Sequence, residues 1–245
     1  MCRVKASRCG SVVSGDVEEI AGSATAALAI TCEHASERLP DPWGWPEQDL
    51  WLAGTHWAYD IGAAALAQRL AEMMSAPAVL SRFSRILADP NRPESSPELF
   101  RKRAEGRVIA LNQTIDDREQ RLALWRAYHD AADRMLRNCQ APVAFAVHSF
   151  TPEYEGEKRD IEIGVLFDRD EAPARRLADH LRTFAKDVRL NEPYSGKRGL
   201  AYSVDRHARA HGRAALEIEV RQDLCGDTAY REALAARLAQ FAWRP

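Results

Sequence analysis

Apolar residues in this chain fall into short runs and longer helical periods that alternate along its length. Leu28-Ala29-Ile30-Thr31-Cys32 is a compact apolar run and predicts a buried strand. Over 60–74, Ile61, Ala65, Leu66, Leu70 and Met73 recur at helical spacing and predict a core-facing helix with Asp60 near its start. Pro77-Ala78-Val79-Leu80 predicts the next strand. Residues 84–88 predict a further extended piece, stopped by Asp89-Pro90-Asn91-Arg92-Pro93. A polar connection follows over 94–116. A long amphipathic helix is then predicted over 117–138, with Leu122, Trp125, Tyr128, Ala132, Met135 and Leu136 inward. Strands are predicted at 143–147, 161–167 and 214–220, and helices at 172–186, 203–211 and 228–243. The stretch 39–46 is too rich in Pro and Gly for regular structure. Strands that alternate with helices predict an α/β fold, a mostly parallel mixed sheet with helices on both faces.

The chain has 245 residues, enough for one large α/β domain, expected over 26–245. Residues 1–25 carry early positive charges without the continuous apolar centre of a signal peptide, and are expected to be a poorly ordered leader. No apolar run reaches the length of a membrane span, so a cytoplasmic protein without a membrane partner is expected. With 34 basic and 36 acidic residues, the chain lacks the basic excess of a general nucleic-acid binder. Its 5 cysteines are scattered and show no Cys-x-x-Cys spacing, which fits reduced thiols rather than a disulfide framework. Cys32 lies beside His34 and is a possible nucleophile; its other reading is a buried strand residue.

The polar residues that bear chemistry sit where apolar runs end. His34 follows the first strand and His148 follows the strand at 143–147. In an α/β fold, such positions converge on the carboxyl edge of the sheet. Asp60, at a helix start, is either an N-cap or an oxygen ligand. Two imidazoles and a carboxylate make a set for zinc, one divalent metal. His34-Ala35-Ser36-Glu37 also holds a His-x-x-Glu spacing, with Glu37 as the weaker alternative to Asp60. Glu217 and Glu219 alternate with Leu216, Ile218 and Val220, so both carboxylates share one strand face. Buried acids need cations, a metal or hydrogen bonds, and Glu219 is the expected proton-transfer base. Arginines at 82, 85, 92, 198, 206 and 221 cluster around these elements. Arg92 stands out in a rigid turn and, with Arg206, is expected to hold substrate carboxylates. Arg198, Ser149 and Asn91 are further expected substrate contacts. The loop 191–199 is dense in turn residues and hydrogen-bonding groups.

Seven segments in order resemble the N-formylglutamate amidohydrolase family. They are Cys32-Glu33-His34-Ala35-Ser36, Asp60-Ile61-Gly62-Ala63, Ser84-Arg85 with Asp89-Pro90-Asn91-Arg92-Pro93, Val147-His148-Ser149-Phe150-Thr151-Pro152, Gly164-Val165-Leu166-Phe167-Asp168, Asn191-Glu192-Pro193-Tyr194-Ser195-Gly196, and Glu217-Ile218-Glu219-Val220-Arg221-Gln222-Asp223. The resemblance covers about residues 28–225. It implies a zinc-exopeptidase-like (phosphorylase/hydrolase-like) α/β fold. It also implies hydrolysis of an N-acyl amide, typically N-formyl-L-glutamate to formate and glutamate. On the more distant pattern of zinc amidases, His34, Asp60 and His148 match the metal ligands and Glu219 the catalytic acid/base. The sequence departs from the family in Ser195-Gly196-Lys197-Arg198-Gly199, where an acidic residue near Arg198 is expected. The expected partner is thus a small N-acyl amino acid. The alternatives are an amidase on another N-acyl or cell-wall amide, and a non-catalytic binder on the same fold.

Overall fold

A computed structural model describes residues 11–154 and 156–245 of the chain. In chain order the elements are β1 (Ser11–Ser14), β2 (Val17–Ile20), β3 (Leu28–Cys32), α1 (Ala63–Met74), β4 (Ala78–Ser81), β5 (Arg103–Ala104), β6 (Arg107–Val108), α2 (Arg118–Asn138), β7 (Val143–Phe150), β8 (Glu153–Tyr154), β9 (Glu157–Lys158), β10 (Ile163–Leu166), α3 (Glu171–Leu181), β11 (Val188–Leu190), α4 (Tyr202–Ala210), β12 (Ala214–Arg221), α5 (Gln222–Gly226) and α6 (Thr228–Ala239). Eight strands form one sheet in the order β1-β2-β4-β3-β7-β12-β10-β11. The central β4, β3, β7 and β12 run parallel, while β2 and β10 join them antiparallel. Two further hairpins, β5–β6 and β8–β9, lie outside the sheet.

The period-two alternation of the central strands divides the core into two layers. Leu28 and Ile30 of β3, Val143, Phe145 and Val147 of β7, and Leu216 and Ile218 of β12 pack with α1, α3 and α6 on one face. Ala29, Ala144, Ala146 and Ala215 face α2 and α4 on the other, where small side chains let the helices approach the sheet. All eight residues of β7 are buried, as expected for a strand covered on both sides. The mixed α/β class expected from the sequence is the class observed.

Several local expectations need correction. Residues 1–25 were expected to lack order, yet residues 11–20 form the β1–β2 edge, with Val17 paired to Ser81 and buried. The β4 edge gives this segment backbone partners, which hydropathy alone does not reveal. Residues 1–10 lie outside the described residues. The segment 84–88 is a turn, not an extended piece: Leu87 N donates to Ser84 O at 3.0 Å. Helix α1 begins at Ala63, so its inward stripe is Ala63, Leu66, Ala67, Leu70 and Ala71, and Met73 is 40% exposed. Helix α6 ends at Ala239; Trp243 packs back on Phe145 at 4.7 Å from beyond it. Among the described residues no helix is long and apolar enough to cross a membrane.

Candidate metal and catalytic site

Three parallel strands deliver the polar groups to one region of the α2/α4 face. Glu33 and His34 follow β3 directly. β7 continues through Phe150, so His148 lies inside the strand rather than after it. Its register sets His148 beside Glu219 and Ala146 beside Glu217. Asp60 sits in the turn before α1, its backbone N donating to His34 O at 2.9 Å. The N-cap of α1 is Gly62, without a side-chain cap, so Asp60 does not cap the helix. Gly62 has φ 84°, and a Cβ there would stand 2.3 Å from the Cys225 carbonyl oxygen. Glycine is required at this close approach, and the turn it permits aims Asp60 inward instead of along the helix.

The two imidazoles are held alike. His34 Nε2 bonds Asp89 Oδ1 at 2.7 Å, and His148 Nε2 bonds Glu33 Oε2 at 2.9 Å. Tyr128 donates its hydroxyl to the other Glu33 oxygen at 2.8 Å. With Nε2–H donated outward, both Nδ1 atoms turn toward Asp60. Its Oδ2 lies 2.8 Å from His148 Nδ1 and 3.4 Å from His34 Nδ1. His34 Nδ1 is buried and has no hydrogen-bond partner. One ligand atom from each of His34, Asp60 and His148 falls within 4.8 Å of the others. Ser149 fixes the carboxylate: its N donates to Asp60 Oδ2 at 3.2 Å, and its hydroxyl donates to Ile61 O at 2.8 Å. Arg85 bonds Asp89 at 2.8 Å and lies 3.6 Å from Asp60.

The electrostatics follow from burial against partners. Burial alone would raise the Glu33 carboxyl, but the His148 and Tyr128 hydrogen bonds bring it down to about 2. Asp60 and Asp89 are likewise held well below the usual carboxylate range despite burial, Asp60 by the two histidines and Asp89 by Arg85 and His34. Burial pushes Glu217 up to about 7 and Glu219 well above its ordinary value. His148, which burial would lower, is raised well above its ordinary value by Glu217, Asp60 and Glu33. Five carboxylates, Glu33, Asp60, Asp89, Glu217 and Glu219, are thus buried around two histidines. Such an acid excess, the unpartnered His34 Nδ1 and a His₂Asp donor set all fit a divalent cation, with each histidine oriented by a carboxylate behind it.

These three side chains open into a cavity of about 180 Å³ that Glu219, Arg92, Asn91 and Ser149 also line. Glu219 Oε2 is buried without a partner. Glu217 does not line the cavity; its Oε2 lies 3.8 Å from His148 Nε2. Asn91 is pinned, donating to Leu200 O and accepting from Ser203 N, both at 3.0 Å. Two expected substrate arginines are elsewhere. Arg206 stacks on Trp125 at 5.3 Å, outside the cavity, while Trp125 Nε1 donates to Arg92 O. Arg198 is exposed on a 3-10 turn after the 191–195 loop and does not line the cavity; Gly196 before it packs against the Phe167 backbone. Glu37 accepts from Gly54 N and stays out of the ligand set. Cys32 is buried with its thiol raised by burial, a core residue and no nucleophile.

Sequence reasoning gave no role to Glu33, Asp89, Arg85, Trp57, Tyr154 or Tyr194. Tyr128 was read as core only. Its hydroxyl was the available signal, since a buried phenol needs a partner.

The sequence profile of the family described as N-formylglutamate amidohydrolase matches residues 26–225. Among solved structures, a gene product of Agrobacterium tumefaciens aligns with a TM-score of 0.85 at 30% identity, covering 93% of this chain and 93% of that one. An N-formylglutamate amidohydrolase from Ralstonia eutropha aligns with a TM-score of 0.66 at 17% identity, covering 93% of this chain and 98% of that one; at this identity the likeness is one of fold. No curated protein matches the chain.

Proposed function

Because the chain belongs to the N-formylglutamate amidohydrolase family, we propose that it hydrolyses the amide bond of an N-acyl amino acid, N-formyl-L-glutamate or a close relative. The products are the free amino acid and a carboxylate. Zinc is the metal in this reading, held by His34, Asp60 and His148. The observation that carries it is the convergence of those three ligand atoms within 4.8 Å, with the outer nitrogen of each histidine fixed by a buried carboxylate. A zinc ion held by these three residues would supply Lewis acidity toward water and an acyl carbonyl.

The chain's own groups divide the remaining work. Glu219 Oε2, unpaired in the cavity wall, accepts a proton and delivers it to the departing amine nitrogen. Glu217 is withdrawn behind His148 and serves its charge. Arg85 is occupied by Asp89 and Asp60 and positions them. Arg92 directs one nitrogen to Asn91 O at 2.8 Å and keeps the rest of its fork for a substrate carboxylate. Ser149 holds Asp60 rather than substrate.

The test is metal content beside turnover. Wild-type protein loaded with zinc should bind about one ion per chain and release formate from N-formyl-L-glutamate. His148→Ala, folded by circular dichroism, should lose most of that zinc. Unchanged stoichiometry in the variant would sink the ligand assignment.

A further inference from the structure

The hairpins β5–β6 and β8–β9 stand beside the catalytic cavity and bound a groove of about 610 Å³. Arg103 and Glu105 line it from the first hairpin, and Glu153 and Tyr154 from the second. The groove adjoins the catalytic cavity: Trp57, Arg101, Thr151 and Tyr154 line both. A formyl group has a single carbon and fills none of this space.

The junction of the two spaces is built from fixed aromatic rings. Arg159 lies over Phe150, Tyr154 and Tyr194 at 5.8, 4.9 and 5.2 Å, and donates to the Tyr194 hydroxyl at 3.2 Å. One guanidinium thereby locks rings from β7, β8 and the 191–195 loop into a single wall. Trp57 meets that wall, its ring centroid 6.2 Å from that of Tyr154. The indole is itself held, donating to Glu105 at 3.0 Å with Arg101 over its ring at 5.5 Å. Rings ordered before a ligand arrives lose little freedom when it binds. They favour a flat apolar group, which gains ring-to-ring contact beyond its buried area.

We propose that this junction is an acyl subsite and that the substrate is an N-arylacyl amino acid, its ring packed against Trp57 and Tyr154 and reaching into the groove. The inference rests on the amide-hydrolysis reading above. In this arrangement the amino-acid carboxylate lies on Arg92 and the acyl group, rather than the amino-acid side chain, meets the aromatic wall. The chemistry is unchanged. The amide C–N bond breaks, the water oxygen bonds to the acyl carbon, and a proton passes to the amine nitrogen, giving an arylcarboxylate and an amino acid.

The zinc-loaded full chain is assayed with N-formyl-, N-hexanoyl- and N-benzoyl-L-glutamate. The expected kcat/KM for the benzoyl compound exceeds that for formyl by about tenfold or more, and that for hexanoyl by about threefold. Tyr154→Leu should remove the benzoyl-over-hexanoyl advantage. Formyl turned over as fast as benzoyl overturns the subsite while leaving amide hydrolysis standing. Hexanoyl equal to benzoyl, or a full benzoyl advantage kept in Tyr154→Leu, overturns the aromatic recognition. No hydrolysis of any of the three by folded, zinc-loaded protein overturns the hydrolase reading and the subsite together.

Discussion

Glu217 and Glu219 leave the same face of β12 two residues apart, yet they meet different surroundings. Each has a buried oxygen without a hydrogen-bond partner, but Glu219 lines the cavity, whereas Glu217 is buried behind His148. In the proposed reaction, proton transfer therefore falls to Glu219. Glu219→Gln preserves shape and removes the base, and should lower turnover by roughly 100- to 10,000-fold with zinc still bound. Near-normal activity in that variant would move the base to another group. Arg92 supports a second expectation at this scale. Arg92→Lys keeps the charge but loses the planar fork, and should raise KM for an acidic substrate about tenfold or more. The denaturation midpoint should hardly move, because among the described residues the Arg92 side chain hydrogen-bonds only to its neighbour's carbonyl, and its backbone bonds do not depend on the guanidinium. Equal losses on charged and uncharged substrates would make Arg92 a structural residue.

At the scale of elements, α2 does more than cover the sheet. Tyr128 reaches from its inward face to Glu33 beyond β3, and Glu33 in turn fixes His148 of β7. Tyr128→Phe leaves a buried carboxylate oxygen unsatisfied and should cost about 1–3 kcal/mol of stability. A urea titration showing no loss would mean that the hydroxyl is redundant. This link also marks where sequence reading stops. The runs and periods located the central strands and helices because burial imposes them locally, as in 28–32 and 117–138. His34, Asp60, His148 and Glu219 were legible because each interrupts or ends such a pattern. Asp89 and Glu33 were not given roles, because their partners lie 55 and 115 residues away and pattern alone does not specify a pairing. Arg206 and Arg198 failed for the same reason: charge identified them, while the path of the chain carried them elsewhere. The β1–β2 edge was missed because backbone pairing with β4, not side-chain pattern, orders it.

Over the whole molecule, the α2/α4 layer carries a second set of buried polar groups beside the site. His129 Nδ1 meets His207 Nε2 at 2.7 Å, and Asp133 takes His207 Nδ1 at 2.9 Å and His211 Nε2 at 3.1 Å. Burial, with His207 and Arg206 adding to it, lowers His129 to about 2, against the weaker opposing pull of Glu33 and Asp133. The folded protein therefore keeps this ring neutral while the unfolded chain protonates it near 6.5. Unfolding takes up a proton below that pH, so stability is fully present above about 6.5 and declines as the pH falls toward the folded value. At pH 5 the ring accounts for a loss of about 2 kcal/mol relative to pH 7. Glu217, raised to about 7, acts in the opposite sense over the same range, so the total slope of one protein does not isolate the histidine. The difference between wild type and His129→Gln does, because Glu217 is common to both. Urea unfolding of the two at pH 7 and pH 5 should show wild type losing about 2 kcal/mol more than the variant on acidification. Parallel losses would place the acid sensitivity outside His129.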